Sequence, residues 1–213
     1  MKIKLTNYVF SSVLFLFVAI VISCNDNTQK TPAKKDAAAY EFIVPAGWQE
    51  EKIAFPISFA PQIAYTGVEN LRFMPGWSLT TSEEHWSYIF LWWLDGAPKA
   101  DEQALQENLK VYYTGLVGRN IKERIIPADK VVPVVAKIKQ TASAAGDAET
   151  YSGSIVITDY LDLQFSPITL NCMIHKRICG AHTALIVEIS PKAFNHKNWS
   201  SLNQVLQSFK CGN

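Results

Sequence analysis

The sequence predicts an α+β fold: a mostly antiparallel sheet with helices packed on it. Three observations carry the prediction. Between residues 40 and 190, short runs rich in β-branched and aromatic residues recur, punctuated by Pro, Gly and Asp turn signals. Apolar residues fall at helical spacing in only two places, after Asp101 and from about Asn198. The order is therefore strands, helix, strands, helix, which belongs to α+β rather than to alternating α/β proteins.

Taken in order, Tyr40–Val44 reads as a short strand broken by Pro45-Ala46-Gly47. Residues 51–60 hold another short extended piece, limited by Pro56 and Pro61, and Gly67–Met74 is a strand stopped by Pro75-Gly76. Trp86–Leu94 is the strongest strand. Trp86, Tyr88, Phe90, Trp92 and Leu94 share one face and Ile89, Leu91 and Trp93 the other, so both faces are apolar and the strand belongs at the centre of a covered sheet. Asp101 suits the N-cap of a helix over about 102–117 with Leu105, Leu109, Tyr112 or Tyr113 and Leu116 at helical spacing, and Gly118 suits its C′ position. Strands follow at about 131–141, 149–159, 167–178 and 183–190. The last helix carries the stripe Trp199, Leu202, Val205, Leu206 and Phe209.

The turn Pro45-Ala46-Gly47-Trp48, the helix midway and the terminal helix closing on Ser208-Phe209 resemble the PsbP-like α/β/α sandwich. The resemblance covers residues 40–211. It implies a non-catalytic accessory or binding module and hands over no catalytic residue.

Of 213 residues, 48% are hydrophobic and 18% charged, and the formal net charge is +1. This composition excludes a disordered chain, a collagen-like repeat and a small disulfide scaffold. Near-neutrality argues against a nucleic-acid partner. The first residues carry an address. Lys2 and Lys4 precede an apolar tract from Val9 to Ser23, which spans about 22 Å as a helix, short of the ~30 Å hydrocarbon core and suited to a signal peptide. The tract ends Val21-Ile22-Ser23-Cys24, which resembles the lipobox of bacterial lipoproteins. That resemblance implies cleavage after Ser23, lipid on Cys24, and a protein anchored in the bacterial cell envelope, at the periplasmic face or the cell surface. The plainer alternative is an ordinary secretory signal or uncleaved anchor with Cys24 incidental. Cleavage removes Lys2 and Lys4 and no acid, leaving 18 basic against 19 acidic residues, so the acyl chains rather than a basic patch must hold the membrane. Residues 25–39 contain no aromatic and no aliphatic larger than Ala, the composition of a disordered tether; residues 40–213 form the single globular domain.

Chemistry is sparse. The sequence has no Gly-x-Ser-x-Gly elbow and no phosphate-cradling glycine loop, and Ser152 and Ser154 read as solvent-facing strand residues. His175, Cys179 and His182 are the closest approach to a metal cluster, but four residues of strand put His175 about 13 Å from Cys179, too far for one zinc. Glu83 with Glu84, and Asp159 with Asp162, are candidate acid pairs and equally plain solvated edges. No catalytic residue, metal or cofactor is assigned. Trp48 and Trp77 each follow a glycine in a turn and are the candidate ligand-binding residues, as a stacking platform or as plugs at the end of the sandwich. The expected function is a lipid-anchored envelope protein whose domain binds a partner protein or small ligand. The alternatives are a hydrolase of envelope polymers or a structural subunit of an envelope complex.

Three cysteines besides Cys24 allow three single pairings. Cys172 shares an apolar strand face with Ile168, Leu170 and Ile174, which makes it a buried free thiol, and it lies seven strand residues, about 23 Å, from Cys179. A terminal helix running back along strand 183–190 returns Cys211 towards Cys179. A Cys179–Cys211 bridge is therefore expected.

Overall fold

Alternating apolar residues and well-placed turns build the sheet in chain order. The structure is a computed structural model that describes residues 39–212; the signal segment, Cys24 and the tether up to residue 38 lie outside the described residues. Strand β1 is Tyr40–Glu41, β2 Gln49–Ala54, β3 Gly67–Phe73 and β4 Tyr88–Asp95. Helix α1 (Glu102–Arg124) follows, then β5 (Val135–Thr141), β6 (Glu149–Thr158), β7 (Pro167–Cys179) and β8 (His182–Ser190). Helix α2 (Lys197–Ser208) and β9 (Lys210–Cys211) end the described chain. Seven strands form one sheet in the order β2-β3-β4-β8-β7-β6-β5, every neighbouring pair antiparallel, while β1 pairs with β9 apart from it. The fold is α+β, with one helix on each face of the sheet.

The two-faced strand organises both layers. Tyr88, Phe90, Trp92 and Leu94 of β4 pack with Leu105, Leu109, Tyr112 and Tyr113 of α1 in the larger core. Ile89, Leu91 and Trp93 pack with Trp199, Leu202, Val205 and Leu206 of α2 in the smaller one. Each fully buried side chain of this size contributes about 1.5–3 kcal/mol, so β4 anchors both cores at once. The helices begin where the sequence caps them. The Asp101 carboxylate accepts the Ala104 N–H at 2.9 Å, and His196 Nδ1 accepts that of Asn198 at 3.2 Å.

Several boundaries differ from expectation, each for a local reason. The strand expected over Tyr40–Val44 stops at Glu41, because the buried Arg72 guanidinium takes the Phe42 and Ile43 carbonyls at 2.9 and 3.1 Å. The strand expected from Trp86 begins at Tyr88, since Trp86 itself has φ +53°. Gly118 does not end α1: the helix runs six residues further and terminates at Ile125 in the left-handed conformation (φ +54°), whose N–H bonds the Ile121 carbonyl. The strand expected from residue 131 starts at Val135, after a 3-10 turn at Ala128–Lys130 and after Pro133. The glycine that matters inside α1 is Gly115. A Cβ there would come 1.8 Å from the Phe59 carbonyl oxygen, so only Gly lets the 55–63 loop lie against the helix.

The disulfide joins Cys179 to Cys211 with their Cα atoms 5.3 Å apart. It fastens the β7–β8 hairpin to the chain end where β9 meets β1. Cys172 is free and buried, and burial pushes its thiol up to about 12.

Candidate functional site

Two periodicities meet at one end of the larger core. Tyr112, Leu116, Arg119, Asn120 and Glu123 recur at helical spacing along the second half of α1. Glu51 and Ile53 of β2, Leu71 and Phe73 of β3 and Tyr88 of β4 face them by strand alternation. Trp77, Ser78 and Trp86 from the β3–β4 connection, and Tyr160 and Leu161 after β6, close the ends. Together these residues enclose a cleft of about 330 Å³ with an aromatic floor and a charged rim. That volume lies at the small end of ligand pockets. Trp77 stacks tilted on Phe73 (centroids 4.4 Å) and stands edge-on to Trp86 (6.4 Å), which meets Tyr160 at 5.0 Å.

Asp159 holds this aromatic end together. One carboxylate oxygen accepts the Trp86 indole N–H at 2.8 Å and the backbone N–H groups of Leu161 and Asp162 at 3.0 and 3.2 Å. The other oxygen meets His85 Nε2 at 2.7 Å. Asp159 is buried and fully partnered, a structural anchor for two cleft residues. The members of each candidate acid pair have different partners. Asp162 offers Asp159 its backbone, Glu84 accepts the Gly76 N–H at 2.6 Å, and exposed Glu83 meets Lys197. The hydrogen bond from Lys197 holds the Glu83 carboxyl below its usual range.

Backbone strain gathers at the same end. Among the described residues, three non-glycine residues have positive φ: Trp86 (+53°), Ile125 (+54°) and Phe165 (+52°). Trp86 lines the cleft, Ile125 follows the lining residue Arg124, and Phe165 closes the loop that begins with Tyr160. Such conformations cost of order 1–3 kcal/mol each and collect at binding sites. Three exposed apolar residues, Leu79, Ile125 and Leu163, also lie within two positions of cleft-lining residues.

The rim carries opposed charges. Arg119 pairs with Glu123 at 3.1 Å. Arg124 lies over the Tyr160 ring, 5.8 Å from its centroid, and has no carboxylate within 4 Å among the described residues. Glu51 likewise has no basic partner among them. Burial pushes the Tyr160 phenol up, Arg124 pulls it down, and Asp159 and then Glu51 push it up again. Beneath the floor, the wholly buried Glu69 accepts the Trp92 indole N–H at 3.0 Å, and its second oxygen has no partner. Burial pushes its carboxyl up to about 7, the indole N–H opposing. The phenols of Tyr88 and Tyr113 bond each other and are raised well above the usual phenol range by burial, so they stay protonated.

The structure separates the two candidate tryptophans. Trp77 is half-buried in the cleft wall, whereas Trp48 packs against the smaller core on the opposite face of the sheet and lines no part of the cleft. They form no common platform. His175 is buried between Asp147 (2.6 Å) and Glu188 (3.1 Å), Cys179 is in the disulfide, and His182 stacks on Trp93 at 4.7 Å. No group of His, Cys, Asp or Glu among the described residues is arranged to hold a metal ion. Ser152 and Ser154 lie half-buried on β6 with no cleft beside them. Sequence reasoning missed Trp86, Tyr112, Tyr160, Glu51 and Arg124 as cleft residues. The one available signal was the unusual density of aromatics, which reads equally as core.

No family model matches the chain, and no curated protein matches it. Among solved structures it is similar to the Ran-binding protein Mog1p of Saccharomyces cerevisiae at 13% identity, over 81% of this chain and 90% of that one, with a TM-score of 0.32. A likeness that slight carries no argument about function. Among the described residues, no helix is long and apolar enough to cross a membrane.

Proposed function

We propose that the protein is a lipid-anchored bacterial envelope protein whose α+β domain binds a small ligand in the aromatic cleft. The cleft itself carries this reading: an aromatic floor, a polar rim and strained residues converge at one place. The anchor is supported by the apolar tract ending Val21-Ile22-Ser23-Cys24. Kinship with the PsbP-like group is supported by the Pro45–Trp48 turn, the closing Ser208-Phe209 and a helix on each face. Binding is favoured over hydrolysis of envelope polymers because the acidic anchor Asp159 is fully partnered and the buried phenols are held protonated. A second reading, docking of an envelope protein, is favoured by the exposed apolar residues Leu79, Ile125 and Leu163, each within two positions of a cleft-lining residue in the chain. A ligand-observed NMR screen with small aromatic compounds tests the first. Hits should compete with one another and weaken in Trp77→Ala. An empty screen, or hits indifferent to that substitution, overturns it.

A further inference from the structure

The rim presents two exposed charges of opposite sign, neither in an ion pair among the described residues, over one aromatic floor. Arg124 comes from the last turn of α1, and Glu51 from edge strand β2. Both line the cleft, both are exposed, and neither has an ion-pair partner among the described residues, whereas the neighbouring Arg119 and Glu123 satisfy each other. If the cleft served a neutral apolar ligand, nothing would require a free charge of each sign at its mouth. An anionic ligand would be repelled by Glu51 and a cationic one by Arg124. A ligand carrying both charges answers both.

Resting on the reading of the cleft as a binding site, we infer that its ligand is a small zwitterion of the amino-acid class with a large apolar side chain. Its carboxylate would meet the Arg124 guanidinium, its ammonium the Glu51 carboxylate, and its side chain the floor of Phe73, Trp77, Trp86 and Tyr112. Tyr160 lines the same cleft, with the Arg124 guanidinium 5.8 Å from its ring centroid. A guanidinium can grip a carboxylate with two parallel N–H donors. An ammonium near the floor gains further from the ring faces. The volume of about 330 Å³ suits a single amino acid rather than a polymer.

Four phenyl compounds that carry both charges, the negative one, the positive one and none decide the matter when titrated calorimetrically into the full-length purified protein: L-phenylalanine, 3-phenylpropionate, phenethylamine and benzyl alcohol. The inference expects L-phenylalanine to bind tightest, each charge adding about threefold to tenfold. Arg124→Gln should weaken phenylalanine and phenylpropionate by that factor and leave phenethylamine unchanged or improved. Glu51→Gln should weaken phenylalanine and phenethylamine by that factor and leave phenylpropionate unchanged or improved. Both side chains are exposed, so folding should survive, and benzyl alcohol serves as the check that the floor is intact. Benzyl alcohol binding with no further gain from either charge overturns the zwitterion and leaves the cleft standing. Failure of all four probes overturns both. If a variant also loses benzyl alcohol, the wild-type ranking alone decides, and phenylalanine no tighter than either singly charged analogue refutes the inference.

Discussion

Ile125 offers a direct test of the strain at the cleft. It is a β-branched residue with φ +54°, and its side chain is 87% exposed. The left-handed conformation costs an L-residue about 1–2 kcal/mol, and β-branching places Ile at the costly end. Glycine carries no such penalty and is the usual residue at this position after a helix. In Ile125→Gly the relief is partly offset by the extra backbone freedom glycine loses on folding, about 0.5–1 kcal/mol. Little buried area is lost, because the side chain faces water. The net expectation is a gain of about 1 kcal/mol, or about 2–4 °C in melting temperature for a domain of this size. Differential scanning calorimetry with urea titration measures both quantities. The same variant should bind cleft ligands more weakly, because the freer backbone after this substitution holds the adjacent Arg124 less firmly over Tyr160. A melting temperature unchanged or lowered would refute the assignment of strain at this residue.

Tyr88→Ala or Trp92→Ala should cost about 3–5 kcal/mol by chemical denaturation, since both side chains are fully buried in the central strand; an unchanged midpoint would contradict its placement. Glu69 has a folded-state pKa raised to about 7, so the unfolded chain releases that proton first as pH rises. The domain should therefore lose up to about 3 kcal/mol between pH 4.5 and 7, and Glu69→Gln should abolish that loss in pH-dependent melts. Non-reducing peptide mapping should recover Cys179 joined to Cys211. Cys211→Ser, which opens a link across 32 residues, should cost about 3–4 kcal/mol in denaturant melts. Wild-type protein should incorporate labelled palmitate and fractionate with membranes, and Cys24→Ala should do neither.

The sequence shows the layers of this fold far better than it shows its cleft. Strand β4 is legible because its eight residues have no polar face to turn outward, and only a sheet covered on both sides accommodates that. Helix α2 is legible from one clean stripe. The end of α1 is not, because Gly118 carries a stop signal that tertiary packing overrides: Ile121 still packs against the core beyond it. The Tyr40–Val44 strand misleads because the buried Arg72 competes for its carbonyls from 30 positions away in the chain. Trp77 stands out by its turn, but Trp48 has the same local pattern and packs on the other face. The cleft joins residues from position 51 to position 161, and no local periodicity relates Glu51 to Arg124 or Trp86 to Asp159. Those relations depend on strand order, which a sequence pattern does not specify.

The cleft between α1 and the β2–β3–β4 end of the sheet is proposed as the binding site. Indole N–H signals in a proton–nitrogen NMR titration with a neutral aromatic probe, benzyl alcohol, test it most directly, because the tryptophans report on different places. Trp77 and Trp86 line the cleft, whereas Trp48, Trp93 and Trp199 belong to the smaller core on the opposite face. Binding in the cleft should give saturable shifts at Trp77 and Trp86, with Tyr112, Leu116 and Tyr160 moving in the backbone spectrum and Trp48, Trp93 and Trp199 still. Shifts centred on Trp48, Trp93 and Trp199, or none that saturate, would contradict it.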